Sequence, residues 1–144
     1  MLLNIFAEPV TKVLKQRTCQ KQSTTYKMSL STQAEEFRTA YGVSNSTSNR
    51  EMQQNLIAEE FKEFNTAIAE EPYENELKEL ADLVYVCFQY AENMEWDLEE
   101  ALDRVHKSNM SKLGLDGKPI RRADCKVLKG PNYEPPILKD LING

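Results

Sequence analysis

Glu59-Glu60-Phe61-Lys62-Glu63 and, further along, Glu79-Leu80-Ala81-Asp82 are the stretches on which the fold turns. Glu60 with Glu63, and Glu79 with Asp82, stand three residues apart, a spacing that puts each pair on one side of an α-helix, about one turn apart. Rotating by about 100° per residue sorts the neighbours into faces. Around the first stretch Ile57, Phe61, Phe64 and Ile68 form an apolar stripe expected to face the core. Beside it run Leu56, Glu60, Glu63 and Ala67, so apolar groups flank these two glutamates. Around the second, Leu77, Leu80, Val84, Cys87 and Phe88 form the main predicted core stripe. Glu79 and Asp82 share the other side with Leu83, Val86 and Tyr90. A helix apolar nearly all round is buried nearly all round, so both acid pairs are expected inside a helical bundle.

Buried carboxylates need partners, and four that converge repel one another as well. Lys62 and Lys78, the lysines of these helices, are read as pointing away from the acid stripes. A hard divalent cation then resolves the conflict: Mg²⁺, with Mn²⁺ as a substitute, takes oxygen ligands and keeps waters that a substrate phosphate can replace. The competing reading is a solvated acidic face with Lys62 and Lys78 as ordinary surface partners. Acid pairs of the same spacing do recur, at Glu71/Glu74 and Asp97/Glu100, so spacing alone does not decide.

The 144 residues and 16.6 kDa suit one domain, and few glycines and aromatics amid Glu, Lys, Leu and Ala favour an all-helical one. A net charge of -5 argues against a chain that mainly coats nucleic acid. Cys19, Cys87 and Cys125 contain no Cys-x-x-Cys pair and read as reduced thiols of a cytoplasmic protein. No apolar run reaches the roughly 18 to 20 residues a membrane span requires, so no membrane partner is expected. Residues 1–30 read as a loosely ordered basic extension, with an organelle transit segment as the alternative. Residues 31–144 form the domain, in which a first helix over Ala34 to Tyr41 stops at Gly42. Ser48 and Glu51 form a capping box for a second helix ending near Glu70. Pro72 opens a third that runs to about Asn93, and Asp97 caps a fourth ending near Lys112. The tail, 113–144, is irregular and basic, able to fold over phosphates or to lie as a flexible appendage.

Glu-Glu-x-x-Glu followed by Glu-x-x-Asp resembles the MazG-like members of the all-α nucleoside triphosphate pyrophosphohydrolase superfamily. The resemblance continues through Ser108-Asn109-Met110-Ser111-Lys112, Asp116-Gly117-Lys118-Pro119 and the run Lys126 to Pro136, and covers about Thr32 to Leu138. It implies an oligomeric four-helix-type bundle with metal ligation by Glu60, Glu63, Glu79 and Asp82. Glu59 would then orient or deprotonate the attacking water. Asn109 and Lys112 would contact triphosphate oxygens, with Lys118, Lys126, Lys129 and Tyr133 completing the substrate contacts. Where the tail pattern repeats Asp-Gly-Lys, this chain has Asp124-Cys125-Lys126, which puts that turn in question. The implied reaction is Mg²⁺-dependent cleavage of a (d)NTP between the α and β phosphates to a monophosphate and pyrophosphate. A phosphoribosyl-ATP pyrophosphohydrolase shares the acidic motifs and is the enzymatic alternative. A non-catalytic helical module binding a partner or nucleic acid is the alternative of another class. Helices apolar on two faces exceed what one small bundle covers, so a homodimer or homotetramer is expected.

Overall fold

The computed structural model describes residues 27–70 and 72–142. These form four α-helices, α1 (Leu30–Ala40), α2 (Arg50–Glu70), α3 (Tyr73–Asn93) and α4 (Leu98–Met110), with single 3-10 turns at Thr47–Asn49 and Lys139–Leu141. The architecture is all-α, as expected; in the tail two isolated bridges, Leu113 with Pro119 and Arg121 with Val127, replace any strand among the described residues. The extension read over residues 1–30 lies outside the described residues, apart from its last four.

Local chemistry sets most boundaries. Ser29 caps α1 by accepting from the Thr32 amide, and Gly42 ends the helix at φ +64°. There the Val43 amide reaches back to the Arg38 carbonyl and the Gly42 amide to that of Thr39, so free carbonyls of the last turn are satisfied. Asp97 caps α4 through the Glu100 amide at 2.9 Å. The start of α2 differs from expectation. The Ser48 amide is taken by Ser46 Oγ at 3.1 Å, so a 3-10 turn capped by Ser46 leads into α2 and the Ser48/Glu51 box does not form. A side chain two residues upstream can satisfy that amide sooner than the box can close.

α2 and α3 form an antiparallel hairpin: Arg50 Nε, at the start of α2, donates to Tyr90 Oη near the end of α3. α1 packs along α3, and α4 joins α1 where Glu99 accepts from the Leu30 amide at 3.0 Å. The core is small, with Ala34, Ala67, Phe88 and Ala91 as its buried apolar residues. Arg38 is buried too; it donates to Asn45 Oδ1, the Ser44 carbonyl and Asn93 Oδ1, so it pins the α1–α2 link to α3. Desolvation lowers the Arg38 pKa, opposed by the charge of Glu92.

The predicted core stripes need correction. Phe88 of the predicted stripes is buried and Ile57, Phe64 and Cys87 are half-buried, but Phe61, Ile68, Leu77, Leu80 and Val84 are exposed in the single chain, while Gln53 and Ala67 are buried on α2 and Glu60 is half-buried. On α2 the hairpin therefore closes through the stripe that carries the acids. Small Ala67 lets the helices approach, whereas the bulkier Phe61 and Ile68 face outward.

Candidate metal centre

Glu60 reaches across the hairpin from the middle of α2, and Glu79 and Asp82 meet it from α3. One carboxylate oxygen from each lies within 4.8 Å of the others, and all three residues are half-buried. The Glu79 side chain is only 15 % exposed, and its Oε2 is buried with no hydrogen-bond partner. Desolvation raises the Glu60 pKa first, and the charges of Glu63, Asp82, Glu79 and Glu59 push it further in the same direction. A carboxylate with a raised folded-state pKa opposes folding when ionised, so the cluster is electrostatically unfinished. An all-oxygen donor set with a spare buried lone pair suits a hard divalent cation.

The other candidate residues are placed less uniformly. Glu63 is exposed and outside the tight trio, on the wall of a cleft of about 210 Å³ with Thr66, Ala67, Asn75 and Glu79. Glu59 is exposed beside Glu60. Lys78 does not point away, contrary to the sequence reading. Its Nζ lies 2.8 Å from Glu79 Oε1 and 2.9 Å from Asp82 Oδ2. The signal was present in the Lys78/Asp82 spacing of four, which pairs opposite charges along a helix. Lys62 has no carboxylate partner among the described residues.

The remaining candidates gather about α4 and the tail. Lys112 Nζ donates to Asn109 Oδ1 at 2.6 Å, and Lys129 Nζ sits 4.3 Å above the centre of the Tyr133 ring. Ser108 Oγ donates to the Glu134 carbonyl, the Gly130 amide to that of Lys112, and Arg104 holds Asp140. These hydrogen bonds tie the tail to α4; among the described residues none joins it to α2 or α3.

The turn in question keeps its form. In Asp116-Gly117-Lys118, Asp116 Oδ1 accepts from the Lys118 amide and Gly117 has φ +72°; in Asp124-Cys125-Lys126, Asp124 Oδ1 accepts from the Lys126 amide and Cys125 has φ +66°. Cys125 thus occupies a left-handed conformation that a glycine would hold without strain. Cys125→Gly is expected to stabilise the tail by about 0.5–1 kcal/mol, read as slower amide exchange over residues 122–126, and Cys125→Val to have the opposite effect.

No helix among the described residues is long and apolar enough to cross a membrane. A comparison with curated proteins finds no match. A family model, that of phosphoribosyl-ATP pyrophosphohydrolase, matches residues 7–109. The span starts well before Thr32, includes all four helices but the last residue of α4, and stops short of the tail. It contains Glu59, the four expected metal ligands Glu60, Glu63, Glu79 and Asp82, and Asn109. With most of its length matched, the chain belongs to the phosphoribosyl-ATP pyrophosphohydrolase family, within the MazG-like all-α superfamily, whose members hydrolyse an acid anhydride.

Proposed function

We propose that this enzyme is a Mg²⁺-dependent pyrophosphohydrolase that cuts a nucleoside triphosphate, preferably a deoxynucleotide, between its α and β phosphates. The observation that carries the reading is the trio of Glu60, Glu79 and Asp82, three carboxylates from two helices within 4.8 Å, with a buried Glu79 oxygen unpartnered. Glu60, Glu79 and Asp82 would hold the cation, and Glu63, at the cleft wall, would complete its surroundings. A divalent cation bound there supplies positive charge against the phosphate oxygens. Glu59 orients a water in line with the α-phosphorus and accepts its proton as the oxygen attacks. The bond from phosphorus to the bridging oxygen breaks, and pyrophosphate leaves with the electron pair. Asn109 and Lys112, with Lys118, Lys126 and Lys129, hold the β and γ phosphates, while Tyr133 buttresses Lys129.

The family's own description supports a second reading, with phosphoribosyl-ATP as the substrate. Both reactions make the same cut, so a panel of each (d)NTP and phosphoribosyl-ATP with Mg²⁺, with products separated, discriminates them. Monophosphate plus pyrophosphate from a (d)NTP is the expected result. Turnover of phosphoribosyl-ATP alone transfers the assignment to the second reading. Release of inorganic phosphate with a nucleoside diphosphate, or no turnover of any nucleotide, overturns both. The uncovered Phe61, Ile68, Leu77, Leu80 and Val84 face supports a homodimer or a pair of dimers as the working unit.

A further inference from the structure

Lys78 stands next to Glu79 and one turn before Asp82 on α3, and its ammonium touches both. Among the described residues it is the cation paired with the trio, and it reaches two of the three side chains that the proposed metal would need. The side chain is 61 % exposed, so its ammonium can turn into water at little cost. Glu79 cannot withdraw in the same way, since its side chain is only 15 % exposed in the hairpin, while Asp82 lies nearer the rim at 45 %. Lys62, a turn from Glu59 on the neighbouring helix, contacts no carboxylate among the described residues. The two lysines thus carry the same charge on the two helices of the hairpin, and among the described residues Lys78 alone of the pair is engaged with acids.

We propose that Lys78 is a built-in counter-ion of the acid trio, which releases Glu79 and Asp82 when a divalent cation binds and so sets the metal affinity of the site. Without metal, the ammonium relieves repulsion among converging carboxylates and keeps α2 and α3 together. With metal, the same contacts compete with ligation, so affinity is lower than the oxygen ligands alone would give. This inference rests on the metal-centre reading above and concerns a positioning residue, not a group that touches substrate.

The test is calorimetric titration of the full chain with Mg²⁺ or Mn²⁺, beside thermal unfolding in chelator and in excess metal. Lys78→Met keeps the aliphatic stem and removes the charge. It is expected to bind the ion about three- to tenfold more tightly, to melt at a lower temperature in chelator, and to gain more from added metal than the unaltered protein. Lys78→Arg should restore the original affinity to within about twofold, since it restores the charge. Lys62→Met serves as the control for net charge and should change affinity less than twofold. If Lys78→Met binds the ion no more tightly, or if Lys62→Met tightens binding equally, the counter-ion role is overturned while the metal centre stands. If neither the unaltered protein nor Lys78→Met binds a divalent ion, the metal centre and the counter-ion role fall together.

Discussion

Glu79→Gln is expected to reduce divalent-dependent turnover by about a hundredfold or more while leaving the helical circular dichroism unchanged. Glu79 contributes an oxygen to the trio with Glu60 and Asp82, and its Oε2 is a buried atom that lacks a hydrogen-bond partner. Glutamine has the same shape but replaces half of that donor set with an amide N–H₂, which cannot ligate a cation. The loss should show as a weakened metal dissociation constant by calorimetry as well as a lower kcat, and excess metal should recover part of it. The unfolding midpoint in chelator should not fall by more than the loss of the Lys78 contact, because one of several repelling charges has gone. Glu63→Gln should cost less, about tenfold, because Glu63 is exposed and stands outside the trio. Equal losses at the two positions would mean that Glu63 swings in to ligate as fully as Glu79. No loss at Glu79 would remove the metal centre from the mechanism.

Phe61→Glu tests the outward face. Phe61 is 56 % exposed, Ile68 53 %, Leu77 68 %, Leu80 41 % and Val84 40 %, while the buried apolar core among the described residues consists of three alanines and Phe88. So small a core leaves much of the apolar surface in water, and a second copy of the chain is the occupant proposed for it. An ionised glutamate placed in such an interface has no partner there, at a cost of several kcal/mol, so the association constant should fall by at least about a hundredfold. Light scattering with size-exclusion chromatography should find the unaltered protein as a dimer or larger and Phe61→Glu as a monomer. The unaltered protein's unfolding midpoint should rise with concentration, and that of the variant should not. A monomeric unaltered protein with a concentration-independent midpoint would leave the face without a second copy.

Much of this architecture was legible in side-chain chemistry. Gly42, Pro72 and Asp97 marked where helices stop and start, because glycine tolerates positive φ, proline suits a helix start and aspartate caps free amides. The second helix start departs from its capping pattern for a reason of the same kind. Ser46 and Ser48 can each serve as a cap, and only the path of the chain through Arg38 and Asn93 selects Ser46. Lys78 lies toward the acids because a flexible side chain on the rim of a face can reach either way, and the field of two nearby carboxylates draws it in.

By itself the sequence determined that this is an all-helical chain with acid pairs on two successive helices, since helical period and capping are properties of neighbours along the chain. It could not determine which of two apolar stripes faces the partner helix. Both α2 and α3 carry one stripe with acids and one without, and apolar content alone favours the acid-free one on each helix. Only the tertiary structure decided, closing the hairpin through Gln53, Glu60 and Ala67 and turning Phe61 and Leu80 outward. The physical reason is that a small residue lets two helices close while bulky apolar side chains need a further surface to cover them, and neither neighbour is written in local order.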